Sequence, residues 1–87
     1  MEYSVSVAVG AKLSLDCSAK GLPEPNIQWF LNGTKINKND RRIQLRNMRL
    51  YIDSVQLKDS GNFRCIVSNI HKEIERRFSV TIEGQSN

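Results

Sequence analysis

The 87-residue chain has little of what most protein chemistry requires: one histidine, two cysteines, and nine acidic residues scattered along its length. A nucleophile needs a base and an orienting group beside it. The lone His71 falls in Asn69-Ile70-His71-Lys72-Glu73, read as a hairpin tip remote from both cysteines, where it is a solvated loop residue. No catalytic residue is assigned, and the chain is not expected to be an enzyme. It has no Cys-x-x-Cys pair to start a zinc site and no carboxylate cluster for calcium. It also has no glycine-rich phosphate loop after a strand, so neither metal nor cofactor is expected. No apolar run is long enough to cross a membrane, and no basic stretch leads into an apolar one as in a leader peptide. Direct membrane insertion is therefore not expected. With Met1 read as the start of an excised segment, residues 1–87 are expected to form one domain of a longer protein.

What the chain does have is period-two alternation, the mark of strands with one buried face. Val5, Val7 and Val9 form the first such set, ending at Gly10. Leu13, Leu15, Cys17 and Ala19 form the second, with Lys12, Ser14, Asp16 and Ser18 facing water. Gly21-Leu22-Pro23-Glu24-Pro25 breaks the pattern, because proline lacks a donor and restricts the residue before it. Ile27, Trp29 and Leu31 then point inward, with Gln28 and Phe30 outward. Asn32-Gly33 suits a tight hairpin, since both residues tolerate positive φ. Thr34 to Ile36 reads as a short edge strand, and Ile43 with Leu45 as another. Leu50 and Ile52, then Val55 and Leu57, continue the core. Phe63, Cys65 and Val67, and finally Phe78, Val80 and Ile82, complete it. The ordered core is expected over about residues 4–83, with a frayed tail at 84–87.

Cys17 and Cys65 lie 48 positions apart, Trp29 follows the first by 12, and Asp59-Ser60-Gly61-Asn62-Phe63-Arg64 leads into the second. Together with Gly21-Leu22-Pro23-Glu24-Pro25, Leu50-Tyr51-Ile52 and Asn69, this order and spacing resembles the I-set class of the immunoglobulin superfamily, over roughly Val5 to Glu83. The resemblance implies an all-β, two-sheet Greek-key sandwich. A disulfide between Cys17 on strand B and Cys65 on strand F would join the sheets, with Trp29 of strand C packed against it and Phe63 and Leu50 in the core. It also implies that Arg41 or Arg42 pairs with Asp59. Phe63 departs from the family pattern, which has a tyrosine there, so the corner gives up a hydroxyl bond worth about 1 kcal/mol. The hairpin at 69–73 departs too, having no glycine.

By this resemblance the chain is a non-catalytic, extracellular or cell-surface module of a receptor or adhesion molecule, binding a protein ligand or a homophilic partner. An intracellular structural module of a muscle or actin-associated scaffold is the alternative, and the two differ in cysteine state, since disulfides persist in oxidising compartments. The alternation puts Phe30 and Ile66 on an outer face with Gln28, Arg64, Ser68 and Arg77 around them, an anchor-and-rim composition. They could equally cover one another as ordinary surface residues. Lys35, Lys38, Arg41, Arg42, Arg46 and Arg49 stand against one acid, Asp40, between positions 35 and 49. Placed along one edge of the sandwich, they would suit a glycosaminoglycan such as heparan sulfate, or serve only to keep that edge from aggregating. With no interleaved stacking aromatics and no groove-entering helix, nucleic acid is not expected. Asn32-Gly33-Thr34 is an N-glycosylation sequon, with Asn32 the acceptor.

Overall fold

The computed structural model describes residues 2–19, 25–37 and 41–84. Among these residues eight strands run in the order β1 (Glu2–Ala8), β2 (Leu13–Asp16), β3 (Asn26–Leu31), β4 (Thr34–Lys35), β5 (Ile43–Arg46), β6 (Arg49–Ile52), β7 (Gly61–Ser68) and β8 (Glu73–Glu83). They form a five-stranded sheet, β1-β8-β7-β3-β4, and a three-stranded sheet, β2-β6-β5. Leu13 and Leu15 of one sheet and Trp29, Phe63, Val67, Phe78 and Val80 of the other fill the space between them, with Leu50 and Ile52. The cause is the alternation itself, since every second residue of a strand faces the same side.

Cys17, just past β2, and Cys65 of β7 are disulfide-bonded across the sheets at a Cα separation of 6.4 Å. Trp29 lies directly opposite Cys65 in the β3–β7 ladder. From Trp29 a stack of rings runs outward through Phe78, 6.1 Å away between centroids, to Tyr3, a further 5.4 Å. Phe63 is fully buried, paired with Leu31 on one side and Phe78 on the other.

β1 runs parallel to β8 for its whole length, from Glu2 opposite Arg77 to Ala8 opposite Glu83. As an edge strand it leaves Val5 and Val7 half-buried. Two expected core residues are outside the core: Val9 is 47% exposed and Leu57 61%. Val9 lies beyond the end of β1, where the chain turns at Gly10 (φ 88°) and the Gly10 N–H donates to the Val55 carbonyl at 2.8 Å. Leu57 opens a short 3-10 turn, Leu57–Asp59, instead of continuing a strand. Both side chains border Gly84, at this end of the sandwich. The expected proline-bearing loop lies outside the described residues for 21–24, as does the tail for 85–87.

The β5–β6 hairpin turns at Asn47 (φ 51°) and Met48 (φ 62°) with no glycine. Met48 is held in that left-handed conformation from both ends. Its side chain packs on the core, and its carbonyl accepts the Cys17 N–H at 2.9 Å.

Gly61 opens β7 at φ 156°. A Cβ there would sit 2.7 Å from Oδ1 and 2.8 Å from Nδ2 of Asn32. Gly61→Ala is expected to lower stability by about 1–2 kcal/mol, from backbone strain and displacement of the Asn32 carboxamide. Urea unfolding of the two proteins measures it, and an unchanged midpoint would mean that the carboxamide moves aside freely.

Candidate recognition face

The outer face of the five-stranded sheet is built in rows by its register. Lys35, Phe30, Arg64, Arg77 and Glu2 follow one another across β4, β3, β7, β8 and β1. The next row is Gln28, Ile66 and Glu75, and the one after it Asn26, Ser68 and Glu73. Phe30 and Ile66 are therefore diagonal neighbours, each half-buried. The Arg64 guanidinium carbon lies 4.7 Å from the Phe30 ring centroid, where the ring's negative face attracts it. Its Nη1 is 3.4 Å from Oε2 of Glu75, and Nη2 of Arg77 is 3.5 Å from Oε1 of the same carboxylate. One carboxylate thus holds two arginines, one of them over an aromatic ring, in the middle of the face.

The hairpin joining β7 and β8 ends this face, and it shows why no glycine is needed there. Oδ1 of Asn69 accepts the backbone N–H groups of His71 at 2.8 Å and Lys72 at 2.9 Å, while the Asn69 N–H donates to the Lys72 carbonyl at 2.9 Å. The side chain thus does the work of a turn. Ile70 stands at the tip, 93% exposed. Sequence reading passed over it, although an apolar residue in a turn framed by Asn69 and His71 was itself a signal.

The six basic residues expected along one edge are divided. Lys35 projects from the outer face of the five-stranded sheet, whereas Arg46 and Arg49 share the outer face of the other sheet, which faces the opposite way. Arg46 lies 5.2 Å from the Tyr51 ring centroid, and Arg49 is 3.5 Å from Oδ2 of Asp16. Arg41 is exposed, and Lys38 lies outside the described residues.

Arg42 turns inward. Its two terminal nitrogens bond the two oxygens of Asp59, the Nη1–Oδ1 distance being 3.1 Å. The Asp59 side chain is 5% exposed and that of Arg42 32%. Burial pushes the Asp59 carboxyl upward, but the Arg42 hydrogen bonds, the Gln56 N–H at 2.7 Å and the charges of Arg42 and Lys58 outweigh it and hold it below its ordinary value. Asp16 is also held low, chiefly by the Ser18 hydroxyl and N–H.

Among the described residues, no three His, Cys, Asp or Glu side chains gather where a metal ion could be held, and no helix is long and apolar enough to cross a membrane. The immunoglobulin I-set domain profile matches residues 2–82. The chain belongs to the immunoglobulin I-set family. This I-set domain is 35% identical over 78 residues to the mouse (Mus musculus) neural cell adhesion molecule L1-like protein, covering 90% of the chain and 6% of that protein. It is 35% identical over 86 residues to mouse vascular endothelial growth factor receptor 1, covering 98% of the chain and again 6% of the relative. One is a cell adhesion molecule and one a growth factor receptor by name, and the I-set domain spans a small fraction of each. Among solved structures, the titin M10–obscurin-like 1 Ig complex superposes with a TM-score of 0.84 at 22% identity, covering 98% of the chain and 90% of that structure. At that identity the likeness shows the shared fold alone.

Proposed function

We propose that this I-set domain is an extracellular protein-recognition module, and that it docks through the outer face of the five-stranded sheet. Phe30 and Ile66 form the apolar anchor, Arg64, Arg77 and Gln28 the rim, and Ile70 the outlying contact at the hairpin tip. The observation that carries this reading is the Phe30–Arg64–Glu75 assembly at the middle of the face. An aromatic ring and an arginine held in place by a neighbouring carboxylate are a pre-organised version of the residue types that dominate binding energy at interfaces. Receptor and adhesion relatives support a binding role, and the disulfide supports an oxidising compartment.

The folded domain, multimerised on a fluorescent carrier, tests this on cell surfaces. Phe30→Arg should weaken binding about 30-fold or more, the loss expected of an anchor residue worth about 2 kcal/mol or more. Gln44→Arg, on the outer face of the opposite sheet, should leave it unchanged. Full binding by a folded Phe30→Arg variant would move the contact elsewhere. Free thiols at positions 17 and 65 in the protein taken from its native location would overturn the extracellular assignment.

A further inference from the structure

We infer that Asn32 carries an N-linked glycan, and that its first sugar lies in a depression beside it, at the end of the recognition face opposite the Ile70 tip. Three observations meet at this residue. Asn32-Gly33-Thr34 is an acceptor sequon, and it forms the exposed β3–β4 turn, with Asn32 at φ 50° and Gly33 at φ 85°. The Asn32 carboxamide is held by its oxygen: Oδ1 accepts the Asn62 N–H at 3.0 Å, while the Asn32 N–H donates to the Asn62 carbonyl at 2.9 Å. Nδ2 donates to no described residue, and it lies over Gly61, whose missing side chain gives the carboxamide its place.

An N-glycosidic bond forms at Nδ2 and leaves Oδ1 an acceptor, so the hydrogen bond that fixes the turn survives the modification. The donor is an oligosaccharide linked to a polyisoprenyl diphosphate. Nδ2 attacks the anomeric carbon, the anomeric C–O bond to the diphosphate breaks, and the amide proton passes to a base of the transferring enzyme.

Beside Gly33 lies a depression of about 390 Å³, lined by the polar Glu2, Asn62, Arg64, Arg77 and Ser79 and also by Phe63 and Phe78. Its lining mixes hydrogen-bond donors and acceptors, as the hydroxyls and acetamide of an N-acetylglucosamine require. A sugar seated there borders the Phe30–Arg64 row. Resting on the recognition proposed above, it would bound a protein partner's footprint at Arg64 and Arg77, with Phe30, Gln28, Ile66 and Ile70 on the open side.

The chain secreted from insect cells behind a cleaved leader provides the test. Its intact mass should exceed that of the polypeptide by one glycan, removable with peptide N-glycosidase, which converts Asn32 to aspartate. Thr34→Ser should keep the glycan and Thr34→Ala should abolish it, Thr34 being exposed and outside the Asn32–Asn62 bonds. With the glycan trimmed to one N-acetylglucosamine, NMR should show contacts between its acetyl methyl and Ser79 or Arg77. The Asn62 and Ser79 amides should shift relative to the Thr34→Ala protein. An unmodified Asn32 in the folded secreted protein overturns the site, and an attached sugar without those contacts overturns the seat. Neither readout involves a partner, so both outcomes are separate from that of the Phe30→Arg experiment.

Discussion

Replacing both Cys17 and Cys65 by alanine lowers the unfolding free energy by about 4 kcal/mol. The bond spans 48 positions, and on the chain-entropy account closing a loop of that size in the unfolded state removes about that much conformational freedom. Both residues are fully buried, so lost packing adds to the effect. A domain of this length has about 4–13 kcal/mol in total at the usual range per residue. The variant therefore keeps only a fraction of its stability, and at the low end of that range almost none. Urea unfolding of the oxidised wild type, the reduced wild type and the double variant measures it. The last two should agree to within about 1 kcal/mol, and a reduced protein as stable as the oxidised one would show that the core alone is sufficient.

The Arg42→Met variant should lose about 2–3 kcal/mol at neutral pH and reverse the pH dependence of stability. Removing one partner of a buried ion pair costs about 3–5 kcal/mol. The lower figure applies because Arg42 is about one-third exposed, so some of its interaction is screened, and because the Gln56 N–H remains. In the wild type the Asp59 carboxyl is held below its unfolded value. Its contribution is therefore complete above about pH 4 and is lost as pH falls through the folded value. Without Arg42, burial dominates and raises the carboxyl above its unfolded value. The folded variant then binds the proton more tightly than the unfolded chain, so acidification from neutral pH toward pH 4 stabilises it. Denaturation midpoints between pH 3 and pH 7 should thus fall on acidification for the wild type and rise for the variant over the upper portion of that range. Parallel profiles would show that Arg42 does not govern Asp59. Asp59→Asn in the Arg42→Met background should abolish the rise, since the amide does not titrate.

The buried strand residues were legible because period two is a strong local signal. Leu13, Leu15, Trp29, Phe63, Cys65, Val67, Phe78, Val80 and Ile82 all lie where alternation places them. The same rule misplaced Val9 and Leu57, because each lies just past the point where the backbone leaves the sheet, and that departure is set by hydrogen bonds to Val55 and a 3-10 turn. The Asn47-Met48 turn was not legible, since its strain is offset by core packing and a bond to Cys17 instead of being relieved by a glycine. Nor could sequence choose between Arg41 and Arg42, which depends on which side of the chain faces the corner at Asp59. For the recognition face, the set of outward residues was readable, whereas their adjacency was not. That Phe30 lies opposite Arg64 and diagonal to Ile66 is a matter of register between strands more than thirty residues apart in the chain.

The parallel pairing of β1 with β8 has a mechanical consequence. Because the two strands point the same way, β1 begins at one end of the sandwich and β8 finishes at the other. Tension applied through Glu2 and Glu83 therefore slides the two strands past each other along their common axis. Seven paired positions carry the load together, from Glu2–Arg77 to Ala8–Glu83, where an antiparallel pair pulled from one end would unzip rung by rung. Stretched along its chain, the domain is built to fail by shear.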